Sequence, residues 1–151
     1  MHFFSRTLER YYYISQYSHH TICIRLLTLR LLKVVAQHVQ WQRLCPRVEP
    51  FYAVKCNNDP AILQTLALLG TGFDCASRAE IDQVLQMGVS PERIIFANPC
   101  KIKSHVEFAK QKDVAMMTFD DEHELEKIKK IYPDAKLVLR ILPPPTKASR
   151  T

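Results

Sequence analysis

From residue 50 onward, short apolar runs and amphipathic stretches follow one another in a regular order. FYAV at 51–54 is aromatic and β-branched, which predicts a strand. Asp59-Pro60 then supplies a capping side chain and a favoured first helical residue. Ile62, Leu63, Leu66 and Leu69 carry helical spacing until Gly70 stops it. Residues 72–76 predict a second strand, and Ile81, Val84 and Leu85 a second helix closed by Gly88. Residues 93–98 predict a third strand. Residues 101–112 predict a third helix, with Ile102, Val106 and Ala109 on one face, and residues 114–119 a fourth strand. Asp121 and Glu124 have the spacing of a capping box ahead of a helix bearing Leu125, Ile128 and Ile131, which Pro133 ends. Residues 136–141 predict a fifth strand, and Pro143-Pro144-Pro145 forbids its regular continuation.

The order is βαβαβαβαβ, with strands starting roughly every 21 residues. That alternation implies an α/β protein with parallel strands joined by right-handed helical crossovers. Short, continuous, apolar strands are the kind buried on both faces. An open doubly wound sheet and a stretch of a (β/α)8 barrel both fit, and five strands are too few to close the usual barrel of eight.

Upstream the pattern is different. The chain divides near residue 33. Residues 1–33 form an atypical leader, rich in Arg, Ser and Tyr and free of Gly and Pro. Its composition allows a mitochondrial transit peptide or an alternatively encoded segment that stays out of the main fold; a secretory signal fits poorly. Over residues 34–47, Val35, Val39 and Trp41 suggest a short amphipathic helix ending at Pro46. Residues 34–142 then form the main domain, and 143–151 a Pro-rich, polar tail.

Charge follows the same division. Residues 1–48 carry seven Lys/Arg and one acid, whereas residues 49–151 carry 14 of each sign. The net +6 therefore belongs to the N-terminal third, and it does not point to nucleic-acid binding by the body of the protein. There is no apolar run long enough to span a membrane. The five cysteines are widely spaced, odd in number and without CxxC, as expected of reduced cytoplasmic thiols rather than a disulfide framework or zinc site. The six histidines form no HExxH or Cys/His pattern.

In parallel α/β proteins chemistry gathers at the carboxyl ends of strands. Those ends here carry Lys55, Asp74, Asn98, Asp120 and Arg140, which would converge on one rim. Polar residues are ordinary where strands meet solvent, so Asn98 and Asp120 carry little weight alone. Lys55 closes the apolar run FYAV and is expected at a partly desolvated mouth. Desolvation disfavours the ammonium form and leaves an amine able to attack an aldehyde. Asp74 could hold that lysine or shuttle protons, and Arg140 could anchor an anion. The pattern defines a candidate Schiff-base site.

Five motifs resemble the eukaryotic ornithine decarboxylase family: FYAVKCN at 51–57, TGFDCAS at 71–77 with AEI at 79–81, FANPCK at 96–101, MMTFD at 116–120 and AKLVLRI at 135–141. The similarity is collinear over about residues 34–142, and LCPRVEP extends it upstream of Phe51. The resemblance implies a partial (β/α)8 TIM-like barrel of the PLP-binding, alanine-racemase-like type, with about five strands and four helices. It implies pyridoxal 5'-phosphate as cofactor and decarboxylation of L-ornithine to putrescine in polyamine synthesis. It matches Lys55 to the lysine that holds the cofactor, and Asp74, Glu80 and Arg140 to its neighbours in the cofactor site. It also implies a homodimer and a second possible role, that of a non-catalytic antizyme-binding regulator resembling antizyme inhibitor. The antizyme surface would correspond to about residues 103–126, where Lys103, Lys110 and Lys112 also read as the solvated face of a helix.

The departures from that pattern are specific. The family cradles the cofactor's phosphate in a Gly-rich loop, whereas Gly70, Gly72 and Gly88 are this chain's only glycines and form no cluster. The remaining barrel strands and the C-terminal domain of the family have no counterpart here. The sequence reads as a truncated, alternatively spliced or incompletely assembled member, whose isolated half barrel would expose two sheet edges.

Overall fold

The computed structural model describes residues 21–141, with side chains from Arg30 onward. Most of the leader (residues 1–20) and the polar tail at 143–151 lie outside the described residues. The chain forms two compact units that divide between Val48 and Glu49.

The first unit carries one helix, α1 (Thr21–Leu44). It runs unbroken across residue 33, so the helix expected over 34–47 extends much further upstream. The reason is local: TICIRLLTLRLL contains no Gly or Pro and is rich in Leu. The stop lies at Pro46, as its chemistry requires. Cys45 N–H donates to Trp41 O at 2.7 Å, and the Trp41 indole Nε1–H donates to Val48 O at 2.8 Å. Among the described residues no helix is long and apolar enough to cross a membrane.

The second unit begins with β1 (Phe51–Ala53), a 3-10 turn (Val54–Cys56), α2 (Pro60–Leu68), β2 (Gly72–Cys75) and α3 (Arg78–Gln86). A turn at Pro91–Arg93 leads into β3 (Ile94–Phe96), followed by α4 (Lys103–Gln111), β4 (Met116–Phe119), α5 (Glu122–Ile131) and β5 (Lys136–Leu139). Every adjacent pair is parallel, and the spatial order is β1-β2-β3-β4-β5. A doubly wound sheet reverses its order at a switch point. An unreversed run of strands is instead the arc of a barrel.

Local chemistry sets the boundaries. Asp59 Oδ1 accepts the Ala61 N–H at 2.8 Å with Pro60 at the first helical position, so α2 starts where its sequence says. Gly70 and Gly88 take φ of +87° and +80° at helix exits, where a Cβ would be strained. Arg93 turns its guanidinium back onto Ala67 O at 2.9 Å and Thr71 O at 2.7 Å, tying the exit of α2 to the start of β2.

Right-handed crossovers in an unreversed sheet put the helices on one face. The residues with no exposure show that packing: Phe73, Cys75, Ile94, Phe96 and Met117 from the strands, and Leu63, Ile81, Val84, Val106, Ala109 and Ile128 from the helices. The alternate strand positions Asp74, Ile95 and Thr118 are only half-buried. Burial on both faces, expected from the apolar strands, is therefore met on the helix side alone. All four residues of β5 are exposed, including Leu139 at 55%.

Candidate active site

The polar residues of the strand ends fall into two groups on the carboxyl side of the sheet. The first is Lys55, Asp74 and Glu80. Asp74 lies in β2 in register with Ala53, two residues before Lys55, on the half-buried face between Phe73 and Cys75. Burial pushes its carboxyl above the ordinary carboxylate range; the Lys55 ammonium pulls it down and the Glu80 carboxylate pushes it up. That coupling puts the lysine and both acids in one electrostatic neighbourhood.

Glu80 is placed by the first turn of α3. Ser77 caps the helix, its Oγ accepting the Glu80 N–H at 3.3 Å, while Glu80 Oε2 accepts the Ala76 N–H at 2.5 Å. The carboxylate thereby secures the loop leaving β2. Lys55 differs from expectation in two respects. It sits in the 3-10 turn after β1 rather than at the end of an extended strand, and its side chain is exposed rather than desolvated.

The second group is Asp120 and Arg140. They leave the adjacent strands β4 and β5 at neighbouring positions, the Arg140 N–H donating to Phe119 O at 2.8 Å. The Arg140 Nη2 forms an ion pair with Asp120 Oδ2, so the guanidinium is matched to a carboxylate on its own rim rather than to the Lys55 group. Asn98 stands between the groups and donates from Nδ2 to Ala76 O at 3.3 Å.

Behind this rim lies a site that the sequence pattern does not reveal. Lys101 is buried, and its Nζ donates to Glu124 Oε1 at 3.0 Å, Asn98 O at 2.9 Å and Thr118 O at 2.5 Å. Its backbone N–H donates to both Glu124 oxygens, and Lys127 also pairs with Glu124. Burial pulls the Lys101 ammonium below its ordinary range, against the opposing effect of Glu124. The capping box expected at Asp121 and Glu124 is half realised. Asp121 Oδ1 accepts the Glu124 N–H at 2.7 Å, but the Glu124 side chain turns inward to Lys101. α4 starts at Lys103 rather than 101: Lys101 lies in the preceding loop, and Ile102, expected on the apolar face, is the extended N-cap and 64% exposed. Among the described residues no cluster of His, Cys, Asp or Glu is arranged to hold a metal.

A one-way parallel arc thus carries Lys55 and Asp74 at its carboxyl side, with the lysine electrostatically coupled to the acid. The chain belongs to the pyridoxal-dependent decarboxylases, whose pyridoxal binding domain matches residues 31–151. Ornithine decarboxylase of Neurospora crassa is 59% identical over 110 residues, which is 73% of this chain and 23% of that protein. Antizyme inhibitor 2 of Xenopus laevis is 51% identical over 116 residues, 77% of this chain and 25% of that protein. The crystal structure of ornithine decarboxylase from Entamoeba histolytica superimposes with a TM-score of 0.72 at 34% identity, covering 74% of this chain and 34% of that one. The chain thus spans about a quarter of the length of the curated relatives it matches.

Proposed function

We propose that this chain supplies the lysine-bearing arc of a pyridoxal 5'-phosphate-dependent decarboxylase acting on L-ornithine to give putrescine. The observation that carries the reading is the coupling of Lys55 to Asp74 on the carboxyl side of β1 and β2. The residues of the rim fit the cofactor's aldehyde, although the chain's three glycines form no cradle for its phosphate. Lys55 offers an accessible amine for its aldehyde, Asp74 is electrostatically coupled to that lysine and to Glu80, and Arg140 is a cation for an anionic group. When bound, the cofactor would supply the electron sink for the bonding pair left on the α-carbon as carbon dioxide departs.

Each residue then has a defined task. Lys55 would attach the cofactor, with the Asp74 carboxyl electrostatically coupled to it. Glu80 fixes the loop at Ala76 and pushes the Asp74 carboxyl up. Arg140 orients anionic groups, with Asp120 setting its direction. Dimerisation and a cytoplasmic location belong to the same proposal.

Titration of the protein with pyridoxal phosphate, followed by absorbance, tests the reading. Wild type develops the band of a lysine-bound cofactor and Lys55→Ala does not; equal spectra would refute it. Because the chain's three glycines form no cluster to cradle the cofactor's phosphate, the 151-residue chain alone is expected to release no labelled carbon dioxide from carboxyl-labelled ornithine.

The similarity to antizyme inhibitor 2 favours a second reading, an antizyme-binding regulator using about residues 103–126. The lysines of that surface are partly engaged: Lys110 Nζ donates to Ile131 O at 3.0 Å, and Lys112 lies over the Phe108 ring. Capture of the chain by immobilised antizyme, without the cofactor band, would establish this reading over the first.

A further inference from the structure

We infer that Lys101 is a positioning residue for the candidate site: it clamps the β4–α5 loop at both ends and so holds Asp120 where it directs Arg140. The inference rests on the functional reading above, because Arg140 matters only if the rim binds an anionic cofactor or substrate.

The geometry is that of a hub. On the near side of Asp120, Lys101 Nζ holds the Thr118 carbonyl at 2.5 Å; on the far side it holds Glu124 Oε1 at 3.0 Å. Only residues 119–123 lie between the two anchors, and Asp121 ties them down again by capping Glu124. The same ammonium holds Asn98 O at 2.9 Å, and Asn98 reaches Ala76 O at 3.3 Å. Ala76 in turn is secured by Glu80. Three successive βα loops are therefore fastened in series, and the one carrying Asp120 is fastened twice by a single side chain. The Lys101 and Glu124 side chains are 0% and 2% exposed, so solvent screens this clamp little. Asp120 and Arg140, by contrast, are 30% and 58% exposed, and an exposed ion pair has little strength to set its own direction.

The test reads the Arg140 side chain directly. In isotope-labelled full-length chain, the guanidinium Nε–H resonance of Arg140 is assigned by its loss in Arg140→Lys. Asp120→Asn gives the position of the unpaired guanidinium. Lys101→Met is expected to move the resonance most of the way to that position, while the amide signals of β1 and β2 stay in place. Glu124→Gln, which keeps the shape and removes the charge, is expected to move it part of the way and serves if Lys101→Met does not fold. An Arg140 resonance unmoved in the folded variant overturns the inference. Failure of wild type to take up pyridoxal phosphate would instead count against the function, and leaves the resonance measurement decisive for the clamp.

Discussion

Lys101 and Glu124 form a buried ion pair, Nζ to Oε1 at 3.0 Å, that joins the β3–α4 loop to the first turn of α5. The pair is inseparable from the backbone around it, since the Lys101 N–H also uses Glu124 as its acceptor. Glu124→Ala leaves a buried ammonium and a buried N–H without their partner, and is expected to cost about 3–5 kcal/mol of stability. Replacing both residues by Met removes the stranded charge and restores part of that loss. Recovery stays incomplete because the orphaned N–H still costs about 1–3 kcal/mol. Urea denaturation of the three proteins checks the ordering; a double variant weaker than Glu124→Ala would contradict it.

Phe51 and Gly72 are register partners across β1 and β2, and the ring fills the space a side chain at 72 would need. A Cβ built there lies 2.7 Å from Phe51 Cδ1 and 3.0 Å from Cγ. Gly72→Ala is therefore expected to destabilise by about 1–3 kcal/mol through overpacking. Adding Phe51→Leu should relieve much of it. Thermal melts of the single and double variants decide, and additive losses would show that the ring is not the obstacle.

The cysteines should separate by reactivity. Cys75 is fully buried, and burial, with Glu80 and Asp74 adding to it, pushes its thiol up to about 12. Cys56 and Cys100 are exposed. A thiol reagent at pH 8 should label Cys56 and Cys100 quickly and Cys75 only on unfolding. The sign of the linkage follows. A thiol raised in the fold contributes stability that is intact below its ordinary range near 9 and is lost as pH rises through about 12. Early labelling of Cys75 in peptide mass maps would contradict its placement.

Asp74 offers a direct check of its neighbours. Its carboxyl is raised by burial, lowered by Lys55 and raised by Glu80. Lys55→Ala should therefore move its titration further up, and Glu80→Gln should move it down, as followed by carboxyl-carbon NMR. Because the folded value is raised, this group favours the fold most below the ordinary carboxylate range, and that contribution is lost as pH rises through the folded value. An Asp74 titration indifferent to Lys55→Ala would separate the two residues.

The period of the apolar positions made the sheet and its helices legible. Leu63 and Leu66 on α2 and Ile81 and Val84 on α3 are buried at the expected spacing, and Asp59-Pro60, Gly70 and Gly88 mark the ends of those helices. Periodicity alone left an open sheet and a barrel arc equal, since strand order depends on contacts between distant segments; the motifs' resemblance implied the barrel arc, and the one-way strand order agrees with it. Lys55, Asp74 and Glu80 were recognisable from their motifs, and the structure couples both Lys55 and Glu80 electrostatically to Asp74. The Lys101 clamp was hidden for a physical reason. A lysine at the first position of a predicted helix reads as solvent-facing, and its partner, 23 residues on, reads as an ordinary capping acid.

The central claim is that Lys55 is the amine that takes the cofactor. Incubation with pyridoxal phosphate, reduction with borohydride and peptide mass mapping test it most directly. The account predicts one dominant pyridoxyl-modified site, on the peptide containing Lys55, formed well below the concentration that modifies surface lysines such as Lys103 or Lys129. Labelling spread evenly over the exposed lysines, with Lys55 no faster than the rest, would contradict it.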